Sequence, residues 1–415
     1  MAVYLIATLD TKGTETDFVR AQLRACGVVE TIVVDAGCLG EPVIAADVTR
    51  ETVFEQAGTP IVEVRAAGDR GQAITLAAQG VAEIVAQRHA AGEVEGVIGL
   101  GGSAGTTIAT SAMRRLPVGI PKLMVSTLAS GQVRPYVRDK DIMMLNAVVD
   151  IAGINRISRA VLSNAARAMA GMVTFQPPVE QAANDKPLIA ATMFGVTTPC
   201  IEQARAILEN AGYEVLVFHA TGNGGEAMES LIADGLIAGV LDITTTELAD
   251  ELIGGVLSAG PDRLTAAGRA GIPQVISVGA TDMVNFGPAE SIPERFAERK
   301  FYVHNPTVTL MRTTPEENRR LGEEIARKAA AATGPVKILL PLRGVSAIDA
   351  DGQPFDDPAA RAAMFDGIRA NCGSVDVVEI NRHINDAEFA GAAARTLLEM
   401  LASRLAPKPP GGGGG

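Results

Sequence analysis

Tryptophan is absent and aromatic residues make up only 4% of the chain, so the stacking platforms that single-strand binders use are missing. Positive charge is scarce as well, with 36 Lys and Arg against 48 Asp and Glu and a formal net charge of −12. Without a basic field there is little sequence-independent attraction to a phosphate backbone, and nucleic acid is not an expected partner. The four cysteines, Cys26, Cys38, Cys200 and Cys372, lie far apart with no metal-like or redox-like pair spacing. Long apolar runs are also lacking. Hydrophobic residues form 47% of the chain, yet they come in stretches such as Val3–Leu9 and Ile338–Leu340, well short of the roughly 18 residues that cross a bilayer. No basic region followed by an apolar run opens the sequence, so no secretory signal is expected. These absences predict a cytoplasmic protein with reduced thiols and no membrane contact, and they argue against a periplasmic-type solute binder.

What the chain has is a repeat. Ala7–Asp35 (ATLDTKGTETDFVRAQLRACGVVETIVVD) and Ala191–His219 (ATMFGVTTPCIEQARAILENAGYEVLVFH) read as the same strand, polar turn, helix and strand. Further on, Gly96-Val97-Ile98-Gly99 answers Gly239-Val240-Leu241-Asp242, and Gly119-Ile120-Pro121-Lys122 answers Gly271-Ile272-Pro273-Gln274. The offset shortens because the first half carries an additional segment over residues 43–89, including the apolar-periodic stretch Gln72–Gln87. A chain of 415 residues accommodates two domains of about 100–200 residues each. The expected fold class is α/β, with two Rossmann-like parallel-sheet domains related by internal duplication. The expected boundaries are 1–178 for an N-terminal domain and 187–405 for a C-terminal one, with a proline-marked junction between them and a flexible tail at 406–415.

Strands are predicted at Val3–Leu9, Thr31–Asp35, Ile61–Val64, Gly96–Leu100 and Lys122–Ser126, and a helix at Asn155–Val173 closes the half. The second half repeats the scheme with strands at Leu188–Phe194, Glu214–His219, Ala238–Ile243, Gln274–Val278, Phe301–His304, Val336–Leu340 and Asp376–Ile380. Alternation of this kind implies parallel sheets with right-handed crossovers. Ligands of such folds lie outside the carboxyl ends of the strands or between domains. A closing helix near Ala387–Arg404 has an apolar stretch, Ala390–Leu401, that suggests a homo-oligomer.

Two constellations carry candidate chemistry. The first is Gly99-Leu100-Gly101-Gly102-Ser103-Ala104-Gly105-Thr106-Thr107, which follows a strand and opens a helix. Backbone amides at such a helix start attract anions. Glycine allows close approach, and Ser103, Thr106 and Thr107 can donate hydrogen bonds or meet Mg²⁺. No lysine follows the last glycine, so this is not a Walker loop, and no acidic residue stands about 20 positions on to hold a ribose, which disfavours NAD. Read blandly, the segment is a tight strand-to-helix turn with a serine cap. Two neighbouring turns reach the same sheet edge: Leu9-Asp10-Thr11-Lys12-Gly13, where Lys12 can neutralise a phosphate and Asp10 can hold Mg²⁺ or merely cap a helix, and Ser126–Gly131. Asp35 and Gly37, at the second strand's end, are candidates for contact with a sugar.

The second constellation is histidine and carboxylate. Three of only four histidines fall at or just after strand ends in the second half: His219, His304 and His383. Asp242, Glu247 and Arg343 lie nearby in the predicted topology. Imidazole serves a transition metal or proton transfer near neutral pH, so His219, His304 and Asp242 are candidate metal ligands. His219, His304, Glu247 and Arg343 are candidate catalytic groups, with Arg343 holding a carboxylate or phosphate. No HxH or HExxH spacing links them, and each is also readable as a capped or core residue. Thr221–Gly225 is a candidate anion nest, and Cys200, at a helix start, stands where a thiolate would be favoured.

In this order, LDTKG, GLGGSAGTT, PKLMVSTLASG, MFGVTTPC, FHATGNGG, DITTTELADE, DMVNFG, HNPTVTLMRTT and PLRGVS resemble an uncharacterised bacterial two-domain family related to the plant tobamovirus-resistance ATP-binding protein. The amino-terminal α/β domain of that family is described as ATP-binding, and its plant member blocks a viral replication protein. The resemblance implies a site for ATP with Mg²⁺ at Gly101, Gly102, Ser103, Gly105, Thr106 and Thr107, with Lys12 and Ser130 as additions; it does not imply antiviral action. Two functions follow as expectations. One is an enzyme of small-molecule metabolism, a nucleotide or phosphorylated ligand on the first domain and hydrolytic or carbon–carbon bond chemistry on the second. The other is a nucleotide-dependent binding or regulatory protein without turnover.

Overall fold

The computed structural model describes residues 1–175 and 185–405, which divide into two compact units, Met1–Ala183 and Asn184–Gly415. The junction around 176–184 and the tail at 406–415 lie outside the described residues.

In the first unit, β1 (Ala2–Ala7), β2 (Thr31–Asp35), β3 (Val94–Gly101), β4 (Lys122–Ser126) and β5 (Met143–Asn146) form one sheet in the order β2-β1-β3-β4-β5, parallel throughout. All six residues of β1 are buried, as expected of a strand covered by helices on both faces. The helices are α1 (Leu9–Ala25), α2 (Arg50–Gln56), α3 (Ile61–Ala67), α4 (Arg70–Ala90), α5 (Ser103–Met113), the single turn α6 (Arg134–Val137) and α7 (Arg156–Thr174). One hydrophobic cluster gathers α2, α4 and α5 on one face, and another gathers α1 and α7 on the other. Asn155 starts α7 through a reciprocal capping box with Ser158. The predicted strand at Ile61–Val64 is instead the start of α3. Pro60 precedes it, and only Ile61 and Val64 are buried while Val62 is 73% exposed, a helical spacing that a four-residue apolar run does not reveal.

The second unit has the six-stranded parallel order β14-β13-β9-β8-β6-β7. Its strands are β6 (Leu188–Met193), β7 (Glu214–His219), β8 (Ile237–Thr244), β9 (Gln274–Gly279), β13 (Val336–Pro341) and β14 (Asp376–Ile380). Between β9 and β13 comes a small antiparallel sheet, β10 (Met283–Phe286), β11 (Phe301–Asn305) and β12 (Val308–Arg312), in the order β10-β12-β11. The predicted strand at Phe301–His304 therefore exists but belongs to this sheet. The helices are α8 (Thr198–Asn210), α9 (Asn223–Ala233), α10 (Thr246–Ile253), α11 (Ala266–Ala270), α12 (Pro315–Ala330), α13 (Pro358–Asn371) and α14 (Ala387–Leu405). The apolar stripe of α14, including Phe389, Ala393, Leu397 and Leu401, is buried in the unit's own core beside Cys200, Ala204 and Leu208 of α8. The feature that suggested self-association is thus spent internally.

Counted within each unit, the parallel strands run 2-1-3-4-5 in the first and 2-1-3-4-5-6 in the second, the flavodoxin-type winding whose crevice lies between the first and third strands. This likeness of architecture does not by itself establish duplication. Among the described residues no helix is long and apolar enough to cross a membrane.

Candidate functional site

In the first unit the crevice is open. A cavity of about 270 Å³ lies at the carboxyl ends of β1, β2 and β3. Its floor is the β3–α5 turn, with Gly101, Gly102, Ser103 and Gly105; Asp10 and Lys12 come from the start of α1. Thr106 N donates to Gly102 O at 2.8 Å, so the amides of Ser103, Ala104 and Gly105 precede the first intrahelical bond of α5.

The glycines of this turn divide into two kinds. A Cβ on Gly99 would come 2.4 Å from Ala109 Cβ, one on Gly101 2.7 Å from Gly105 Cα, and one on Gly105 2.9 Å from Leu100 O. These three let α5 sit against β3. A Cβ on Gly102 would meet only Thr127 Oγ1, at 3.6 Å, so no packing demand explains that glycine.

Of the other expected ligand contacts, some are committed to the fold. Thr106 is buried, donating to Gly102 O at 2.7 Å and sharing a 2.7 Å hydrogen bond with Ser126 Oγ. Thr107 Oγ1 donates to Ser103 O at 3.0 Å. Ser130 is exposed after β4 and does not line the cavity. Asp10 Oδ2 accepts from the amides of Leu39 (2.8 Å) and Gly40 (3.2 Å), holding the loop after β2 over the cavity. Lys12 Nζ donates to the carbonyl of Ile151. Asp35 is buried and accepts from Leu9 N, Gly37 N and Arg50 Nε, so it organises the strand end rather than facing a sugar.

The structure adds residues that the sequence did not single out. Arg70, exposed in the first turn of α4, lines the cavity, as do Asp150 after β5, Cys38 and Leu39. Ala73, Ile74 and Ala77 of α4 with Ile108 of α5 make an apolar wall. Burial pushes the Cys38 thiol up, with Asp10 adding to the effect. The additional segment of the first half is therefore one side of the site.

In the second unit the matching crevice, between β6 and β8, is filled by the chain itself. Arg263, 1% exposed, grips Asp242 with Nη2–Oδ1 at 2.6 Å and Nη1–Oδ2 at 2.7 Å, and its Nε meets Glu247 Oε2 at 2.6 Å. Burial works to lower the arginine's pKa, but Asp242, Glu247 and Glu229 together hold it well above its ordinary value. Glu247 Oε1 accepts from the amides of Gly222 (2.7 Å) and Gly225 (3.1 Å). The expected anion nest thus already holds an anion. Burial pushes the Glu247 carboxyl up while Arg263 pulls it back.

The candidate metal set does not assemble. Asp242 is taken by Arg263 and Thr192, His304 is exposed on the antiparallel sheet, and His219 is exposed at the end of β7 with its ring 5.5 Å from that of Phe194. Among the described residues no three His, Cys, Asp or Glu side chains are grouped to hold a metal ion. His383 Nε2 lies 2.9 Å from Ser346 O, while its Nδ1 accepts from Asn385 N at 3.1 Å. Arg343 is exposed after β13 with Nε on Asn381 Oδ1 at 3.1 Å. Cys200 sits at a helix start, but full burial pushes its thiol up to about 12, the reverse of the expected activation.

Two doubly wound α/β units, one open at its crevice and one closed by its own side chains, define a two-domain α/β protein. The chain belongs to the uncharacterised protein family UPF0261, whose N-terminal domain model matches residues 1–178 and whose C-terminal domain model matches residues 186–401. A UPF0261 protein of Clostridium tetani is 51% identical over 401 residues, covering 96% of this chain and 98% of its own length. The ToMV resistance protein Tm-1(GCR237) of Solanum lycopersicum is 46% identical over 337 residues, which are 80% of this chain but only 45% of the tomato protein. A solved UDP-N-acetylglucosamine 2-epimerase from Rickettsia bellii aligns over 97% of this chain and 96% of its own at 10% identity and a TM-score of 0.24, too low to carry an argument.

Proposed function

We propose that the N-terminal unit binds ATP with Mg²⁺ in the β1/β3 crevice, and that the chain is a nucleotide-dependent binding protein. Gly102 carries this reading. It opens α5, faces a cavity and has room for a side chain that it lacks, which is what close approach of a phosphate to the helix amides requires. Arg70 supplies positive charge, and the apolar wall of α4 supplies a surface for the base. A magnesium ion bound through phosphates and water needs one or two carboxylates, and Asp10 and Asp150 line the cavity; the ion would neutralise phosphate charge. Chemistry on the carboxylates expected to act in the second unit is disfavoured because Asp242 and Glu247 are locked by Arg263.

Calorimetric titration of Mg-ATP into the wild type and into Gly102→Val tests the reading. Wild-type binding that the variant loses, with its melting temperature retained, is expected; no wild-type binding would sink it. The enzyme reading keeps one specific support, since His219 and Arg343 are exposed at carboxyl ends of the second unit's parallel strands. Turnover in assays of hydrolytic or carbon–carbon bond chemistry that stops in His219→Ala would establish that reading over the first.

A further inference from the structure

Resting on that nucleotide reading, we propose that Asp150 is the residue that carries the divalent cation, and that Lys12 positions it rather than binding phosphate. The cavity has two carboxylates, Asp10 and Asp150. Asp10 has given one oxygen to two backbone amides, whereas the exposed Asp150 side chain has no hydrogen bond or ion pair among the described residues. An uncommitted carboxylate beside an array of anion-attracting amides repels a phosphate unless a cation bridges them.

The loop bearing Asp150 is held from several sides. Ala147 N donates to Ser126 O at 3.1 Å, Lys12 Nζ holds the carbonyl of Ile151, and Glu15, 2% exposed, accepts from the amide of Gly153. Left-handed backbone at Val148 (φ 66) and Gly153 (φ 79) turns the chain on both sides of Asp150. Two side chains of α1 therefore fix the loop on which this carboxylate enters the cavity. The helical geometry of α1 is broken at Lys12 itself (φ −128, ψ 15).

The test is titration of ATP into the full chain, once with Mg²⁺ and once with EDTA, for the wild type, Asp150→Asn, Lys12→Met and Lys12→Arg. The wild type should bind at least about tenfold tighter with Mg²⁺, and Asp150→Asn should shrink that gain to about twofold or less while binding metal-free ATP no more weakly. Lys12→Met should lose part of the gain, with metal-free affinity retained and Lys12→Arg restoring it. A full Mg²⁺ gain in Asp150→Asn overturns the assignment alone, and metal-free affinity lost in Lys12→Met overturns the role given to Lys12. No ATP binding by the wild type in either buffer overturns the nucleotide reading and this assignment with it. Asp150 is exposed, so its variant should keep the wild-type melting temperature.

Discussion

Replacing Gly99, Gly101, Gly102 and Gly105 by alanine, one at a time, separates the packing glycines from the one proposed to face a ligand. At Gly99 the new methyl lands 2.4 Å from Ala109 Cβ and 2.7 Å from Met124 Sδ; at Gly101 it lands 2.7 Å from Gly105 Cα; at Gly105 it lands 2.9 Å from a carbonyl oxygen. Comfortable carbon contacts lie at about 3.5–4.0 Å, so each of these forces α5 away from β3, a strain of about 1–3 kcal/mol. At Gly102 the nearest atom is 3.6 Å away and the backbone is extended, with φ −82, so stability should change by less than about 1 kcal/mol. The same methyl stands where a phosphate would approach, and ATP affinity should fall at least about fivefold. Urea unfolding and ATP calorimetry on the four full-length variants read both quantities. A Gly102→Ala variant as destabilised as Gly99→Ala, or one that binds ATP like the wild type, refutes the reasoning.

Arg263→Met should destabilise the C-terminal unit by about 3–5 kcal/mol, because it strands the fully buried Asp242 and Glu247 without their partner; urea unfolding measures it, and a loss below about 1 kcal/mol would contradict the network's role. Burial raises the Asp250 carboxyl from 3.8 to about 7 and pushes the Asp282 carboxyl up likewise, with Asp349 adding to it. The folded chain then holds protons that the unfolded chain releases, so the contribution of these groups to stability falls as pH rises from about 4 to 7. Asp282→Asn, which keeps an acceptor for Ser346 Oγ, should gain on the wild type across that window, seen in unfolding curves at pH 5 and pH 8; a constant difference would refute it. Cys200 should resist iodoacetamide at pH 8 in the native state while the half-buried Cys26 and Cys372 react, as peptide mass mapping would show.

Much of the architecture was legible because buried parallel strands are short apolar runs punctuated by glycine, as at Gly96–Leu100 and Gln274–Val278. The edge strand Met143–Asn146 was not, since only its middle residues are even half-buried, and with it went Asp150 on the following loop. The glycine-rich turn was visible as a motif, but which glycine serves packing depends on atoms of β3, β4 and α5 that meet only after folding. Arg263 carries no local signal: its acidic partners lie 16 to 34 residues away in sequence and are gathered by the topology. The histidines misled because strand ends in one chain do not all belong to one sheet, as His304 on β11 demonstrates.

Glu247, seated on the amides of Gly222 and Gly225, is in effect a ligand tethered to its own receptor. Tethering replaces diffusional capture with an intramolecular event whose effective concentration is on the order of millimolar or higher, and this competitor never leaves. A free phosphate arriving at the C-terminal nest must displace it and also leave Arg263 short of an acceptor. The second crevice thus carries its own competitor against dissolved anions, and of the two crevices only the N-terminal one is left open for the nucleotide proposed above.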